Sequence, residues 1–121
     1  MTKLTTLKSR LQKVGPRLSS LPVAAGTVER KRGSAGVRDR DRIRKRDCGL
    51  CQNCGHLGSV VDHKKPLWAG GSDEDDNKWV LCPVCHDAKS KVEAAQRAAS
   101  SYDQHVVREV LRQVGEQHRR A

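Results

Sequence analysis

Two cysteine pairs, Cys51-x-x-Cys54 and Cys82-x-x-Cys85, and four residues beside them, Asp62, His63, Asn77 and His86, are the parts of this sequence able to do chemistry. Four thiolates in paired knuckles suit a tetrahedral zinc ion, and a site with no open position is structural rather than catalytic. Cys48 stands three residues before Cys51 and offers a second C-x-x-C pairing. The 51/54 pair is preferred because Gly55 follows it, and a tight knuckle turn favours a residue free to take positive φ. Cys48 is then a spare thiol; a redox role with Cys51 lacks the βαβ surroundings of such motifs. The other residues suit metal-assisted hydrolysis of a phosphodiester. Asp62 and His86 can hold a divalent cation. His63 can act as base, since histidine as a residue type exchanges its proton near neutrality. Asn77 can orient His63 through the backbone of the intervening loop. His56, His105 and His118 read as surface or hydrogen-bonded histidines, and Trp68 and Trp79 as residues of a small core.

Short elements must carry these groups. Ser59-Val60-Val61-Asp62 predicts one strand, Lys78-Trp79-Val80-Leu81 a second, and Pro83 the first turn of a helix running through Cys85 and His86 to about Ala99. Between the strands lies a polar loop with Pro66, Gly70-Gly71 and an acidic run from Asp73 to Asp76, expected to be a solvated tip. The resulting ββα order brings a strand end and a helix start together. Ser101-x-x-Gln104 predicts a capping box opening a last helix over 101–118. Its apolar face would hold Tyr102, Val106, Val110 and Val114, joined by Val107 and Leu111. Packing against the module is the expected use of that face, dimerisation the alternative. Upstream, VRDRDRIRKR over 37–46 predicts a short exposed basic helix, preceded by a flexible hinge from Lys31 to Gly36. The expected organisation is a flexible basic arm over 1–36 and a domain over 37–121 with its core at 47–99.

A chain of 121 residues with two Trp, one Tyr and no Phe has little to bury, so it needs a staple. Five cysteines, an odd number, and a start (MTKLTTLKSRLQKV) without an apolar signal region favour metal ligation in a cytoplasmic protein over a disulfide framework. No run of residues is apolar enough to suggest a membrane span. The formal charge of +10 is uneven: residues 1–46 carry 14 basic against three acidic groups, and residues 47–121 carry 10 against 11. The attraction for a polyanion such as DNA thus lies upstream. Arg38, Arg40, Arg42, Arg44, Lys45 and Arg46 are the candidate phosphate contacts, with a merely solubilising arm as the plainer reading.

RDCGLCQNCG, VDHKKPLWAGG and DNKWVLCPVCHDAKS together resemble the zinc-containing His-Asn-His nuclease family over roughly residues 46 to 93. Lys89-Ser90 and Glu93 stand where that family commonly has Lys-Thr and an acidic residue. The resemblance implies a small α+β fold with a ββα-metal (His-Me finger) core, stapled by a four-cysteine zinc site and flanked by helices. It implies Mg²⁺ or another divalent cation, such as Mn²⁺ or Ni²⁺, and DNA hydrolysis leaving 5′-phosphate and 3′-hydroxyl ends. By it His63 is the general base, Asn77 the middle Asn, His86 the metal-binding His, and Asp62 the ligand just before the base. Lys78-Trp79 departs from the more usual Leu-Gln, and Cys48 is extra. The start, LTTLKSRL followed by Arg32-Gly33, resembles small bacteriophage proteins of this family encoded beside genome-packaging genes. That implies terminase subunits as partners in a host cytoplasm; restriction of foreign DNA is another role for the same chemistry. The alternative is a non-catalytic zinc module that binds nucleic acid, which would need neither Asp62-His63 nor His86.

Overall fold

The computed structural model of the protein describes residues 26–121, so most of the expected basic arm and its phage-like start lie outside the described residues. The chain runs through α1 (Gly33–Arg46), β1 (Val60–His63), 3-10 turns at Leu67–Ala69 and Asp75–Asn77, β2 (Lys78–Leu81), α2 (Pro83–Ala98) and α3 (Gln104–Arg120). This is a small α+β fold, consistent with a ββα-metal core. Its antiparallel pair is in the register Val60↔Leu81, Val61↔Val80, Asp62↔Trp79 and His63↔Lys78. Strand side chains alternate and paired residues share a face. Val61, His63, Lys78 and Val80 therefore point one way, and Val60, Asp62, Trp79 and Leu81 the other.

The first face is covered by α1, and both Ile43 and Val80 are fully buried. The expected hinge is in fact structured: Gly33 to Gly36 form the first turn of α1. Gly36 is buried, and a Cβ there would lie 2.7 Å from the Lys31 carbonyl oxygen, so only glycine lets the incoming chain pass this close. Nor is α1 a freely solvated basic helix. Asp39 is buried in it, and the i,i+3 pairs Asp39–Arg42 and Asp41–Arg44 close at 2.9 and 3.2 Å.

The second face packs on α2 and α3. Leu81, Val107, Leu111 and the sulfurs of Cys51, Cys54, Cys82 and Cys85 make one buried cluster, with Trp79, Val92, Tyr102 and Val114 against it. Pro83 opens α2 as its spacing predicts, and Cys82 caps that helix by accepting the Cys85 N–H at 3.4 Å. The opening of α3 differs from expectation. Asp103, not Ser101, is the cap, accepting the His105 N–H at 2.8 Å, while Gln96 of α2 bonds the Asp103 backbone in both directions. The buried stripe of α3 is Val107, Leu111 and Gly115, with Val114 against the core, and Val106 is exposed.

Candidate active site and metal centre

Cys51, Cys54, Cys82 and Cys85 are positioned to bind a metal: all are buried, and their sulfurs lie within 4.8 Å of one another. Zinc about 2.3 Å from four tetrahedral sulfurs spaces them about 3.8 Å apart, and Cys54 Sγ lies 3.6 Å from Cys82 Sγ. Donors suited to thiolate charge already face the cluster, with Asn53 Nδ2 3.2 Å from Cys85 Sγ. Burial pushes the Cys54 and Cys85 thiols up. It acts on Cys51 too, but backbone N–H groups outweigh it there and bring that thiol down to about 7. Cys48 is exposed and outside the group. His56 and His118 are hydrogen-bonded histidines, as expected, and their partners are knuckle sulfurs. The two rings stack at 4.2 Å, with Nδ1 atoms 3.4 Å from Cys54 Sγ and 3.7 Å from Cys82 Sγ, which ties the end of α3 to the knuckles.

On the α1 face, His63 Nε2 lies 2.8 Å from Asp73 Oδ1. Asp73 also accepts the Lys31 N–H at 2.8 Å and pairs with Lys78 at 3.2 Å. Lys78 in turn reaches Asp39 at 3.3 Å, and Asp39 pairs with Arg42 and Lys31. The Arg42 hydrogen bond, opposed by burial and helped by Lys78, holds the Asp39 carboxyl down at about 2. Burial pushes Asp73 up, but Lys31, His63 and Lys78 outweigh it and keep its carboxyl below the ordinary range. Asn77 locks the loop that follows His63. Its Oδ1 accepts the Lys65 N–H at 3.0 Å, its Nδ2 donates to the Lys65 and Ser72 carbonyls at 2.9 and 2.7 Å, and its own carbonyl accepts the Lys64 N–H at 2.7 Å. A Cβ at Gly71 would fall 2.0 Å from the Lys65 carbonyl oxygen, so the loop closes this tightly only with glycine there.

On the opposite face, Asp62 Oδ2 lies 2.8 Å from the ammonium of Lys89, a side chain only 1% exposed that is also bonded to Glu93. Burial raises the Glu93 carboxyl against the opposing pull of Lys89. His86, in the first turn of α2, has Nε2 3.4 Å from Ser90 Oγ. Asp62 thus keeps Oδ1, and His86 keeps Nδ1, outside these contacts. Among the described residues no third His, Cys, Asp or Glu joins Asp62 and His86 in a ready-made ligand group. Two protein ligands still fit Mg²⁺, which is usually held by one or two carboxylates, waters and a substrate phosphate.

Residues 48–91 match the model of the HNH endonuclease family. This stretch is similar to an HNH endonuclease domain. The matched segment contains all four clustered cysteines together with Asp62, His63, Asn77 and His86. No curated protein matches the chain. Among the described residues no helix is long and apolar enough to cross a membrane. HNH nucleases act on DNA with divalent metals, so the domain points to nuclease chemistry beside a metal-binding cluster.

Three expectations about the surroundings of the HNH domain change. The acidic run is no solvated tip: Asp73 is buried against His63, and Asp75 binds Arg42 at 2.5 Å. Lys78, which departs from the more usual Leu at the head of β2, is the buried cation joining Asp39 to Asp73. Finally, the proposed phosphate-binding arginines divide. Arg42 is held by Asp39 and Asp75; Arg44 by Asp41 and the Ser59 carbonyl; Arg46 by Asp47 and the Asp75 and Lys78 carbonyls. Arg38 and Lys45 remain exposed, and Arg40 is half-buried. The internal salt bridges of α1 close at i,i+3 spacing. Nothing local in the sequence signals the long-range partners of His63 and Lys78.

Proposed function

We propose that the protein is a divalent-cation-dependent DNA endonuclease in which His63 is the general base. The observation that carries this reading is the His63–Asp73 pair at the end of β1, within a segment matching the HNH family. A carboxylate accepting one ring N–H fixes the tautomer and orientation of an imidazole. With Nε2–H donated to Asp73, Nδ1 is the nitrogen left to take a proton from the attacking water. Asn77 acts at one remove, pinning the Lys64–Lys65 backbone and so the direction in which His63 leaves the strand. Asp62 and His86 would hold the cation, and Lys89 and Glu93 orient Asp62. A bound Mg²⁺, Mn²⁺ or Ni²⁺ would supply neutralisation of charge on the phosphate and the leaving oxygen. Zinc on the four thiolates is the structural metal. The phage-like start supports a role beside terminase subunits in packaging.

Plasmid cleavage with each cation, comparing wild type with His63→Ala, tests the reading. General-base loss lowers the rate by about 10² to 10⁴, while calorimetry shows divalent-cation binding retained. Asp73→Asn keeps the ring but weakens its orientation, and is expected to give a smaller loss. His86→Ala is expected to lose both cleavage and cation affinity. Full cleavage by His63→Ala would transfer the base role elsewhere, and no cleavage by wild type with any cation would leave a binding module.

A further inference from the structure

A cavity of about 450 Å³ opens between β2 and the first half of α3. Trp79, Val107 and Leu111 line it, as do the cations Lys64, Arg108 and Arg46. A second cavity of about 340 Å³ shares Trp79, Arg108 and Leu111 with it and continues past Arg112 and Arg119, so the two form one trough along α3. The acid in the first cavity, Asp47, is already committed to Arg46 at 2.8 Å and to the Val80 N–H at 2.9 Å. Arg112 is likewise committed to Glu109 and Glu116, and Arg119 to the Asn53 carbonyl. Lys64 and Arg108 are different: both are exposed, and neither makes an ion pair among the described residues.

We propose that this trough is a subsite for unpaired nucleotides of a nucleic-acid strand, taking a base against Trp79, Val107 and Leu111 and its phosphates on Lys64 and Arg108. The chemistry favours a single strand over a duplex. An aromatic wall inside a concavity can receive the face of an unstacked base, whereas duplex bases are stacked on one another. Cations on the rim with an apolar floor match the two halves of a nucleotide. Trp79 pairs with Asp62 across the hairpin and Lys64 follows two residues after Asp62, so the trough lies on the Asp62 face and would guide a strand flanking the scissile bond. The subsite rests on the nuclease reading for its purpose, but its binding is measured separately from cleavage.

The test uses the full zinc-loaded chain without added divalent cation. A fluorescein-labelled oligothymidylate reports binding by anisotropy, and a Trp68→Phe background makes intrinsic emission report Trp79. The expected result is quenching of Trp79 that saturates with the anisotropy signal, and a loss of affinity of about tenfold or more in Arg108→Glu. Arg97→Glu, the same charge change at the exposed end of α2, is expected to alter binding little. Binding without quenching, equal losses in both charge variants, or affinity for duplex alone would overturn the subsite. Quenching by a protein that cleaves no DNA would sink the endonuclease reading and leave the subsite standing. Cleavage without quenching would do the reverse.

Discussion

The two faces of the β-hairpin are held by different physics. Behind Asp62, Trp79 and Leu81 stands a cluster of four thiols and a few aliphatic side chains, closed by α2 and α3. Behind His63 and Lys78 stands α1, with one buried isoleucine and a chain of charges running from Asp73 through Lys78 and Asp39 to Arg42. One face is assembled by a buried thiol cluster and apolar contact, the other by paired charges around a single apolar anchor. Breaking a buried pair by removing one partner is costly because it leaves the other charge stranded. The charged face thus specifies where His63 points, while the thiol face holds most of the buried apolar side chains.

The largest difference should appear on removing the metal. Structural zinc contributes about 10–16 kcal/mol in finger peptides, comparable to the whole stability of a typical domain, about 5–15 kcal/mol. Chelation, or Cys82→Ser, is expected to unfold both faces, because α1 packs on the hairpin and its acidic loop. Elemental analysis should find one zinc per chain in wild type and in Cys48→Ser, and circular dichroism should show helix lost with the metal. Retained helix after complete zinc loss would mean that the charged face stands alone.

A smaller effect is expected on the charged face, and its sign follows from the carboxyl shifts. Asp39 is held at about 2 by Arg42 and Lys78, and Asp47, Asp73 and Asp75 are also lowered. An unfolded Asp titrates near 3.9, so between about pH 4 and 2 the unfolded chain binds more protons and stability rises with pH. The contribution is fully present above pH ~4 and is lost as the pH falls through the folded values. Lys78→Met and Asp39→Asn should each lower the thermal midpoint at neutral pH. The gap between wild type and Asp39→Asn should then narrow below about pH 4. Midpoints are compared at each pH at which both proteins retain zinc, and the gap between them is the readout. A gap that persists unchanged into acid would show that Asp39 acts by packing rather than charge.

The same contrast explains what could be read from the residues alone. Metal coordination is local in sequence: C-x-x-C spacing, Gly55 and Pro83 reveal the knuckles, the strands and the start of α2. The charged face is not. Asp39 and Lys78 are 39 residues apart, and Asp73 lies ten residues from His63 in a loop whose composition suggests solvent. Its pairing is legible only once α1 is known to lie across the hairpin. Charge counting placed the excess upstream correctly but could not tell which arginines the acidic loop would consume. The apolar stripe of α3 was legible in part: Val107, Leu111 and Val114 pack on the core, whereas Val106, expected beside them, is exposed.

That division of the α1 arginines carries the smallest expected effect. Arg38 and Lys45 are seven residues apart and so share one helical face, and both are exposed. Arg42, by contrast, is bonded to two carboxylates at 2.9 and 2.5 Å. A side chain already neutralised inside the protein releases no counterion from a phosphate, whereas a free one changes the slope of log K against log salt by about 0.9 on duplex DNA. Lys45→Ala and Arg38→Ala are therefore each expected to flatten that slope by up to about 0.9 with little change in thermal midpoint. Arg42→Ala is expected to lower the midpoint, by loosening Asp39 and Asp75, and to leave the slope nearly unchanged. Affinity titrations across a salt series, run beside thermal melts of the same variants, separate the two kinds of arginine. If Arg42→Ala flattened the slope as much as Lys45→Ala, its salt bridges would have to open when DNA binds, and the charged face would be part of the DNA-binding surface rather than only its support.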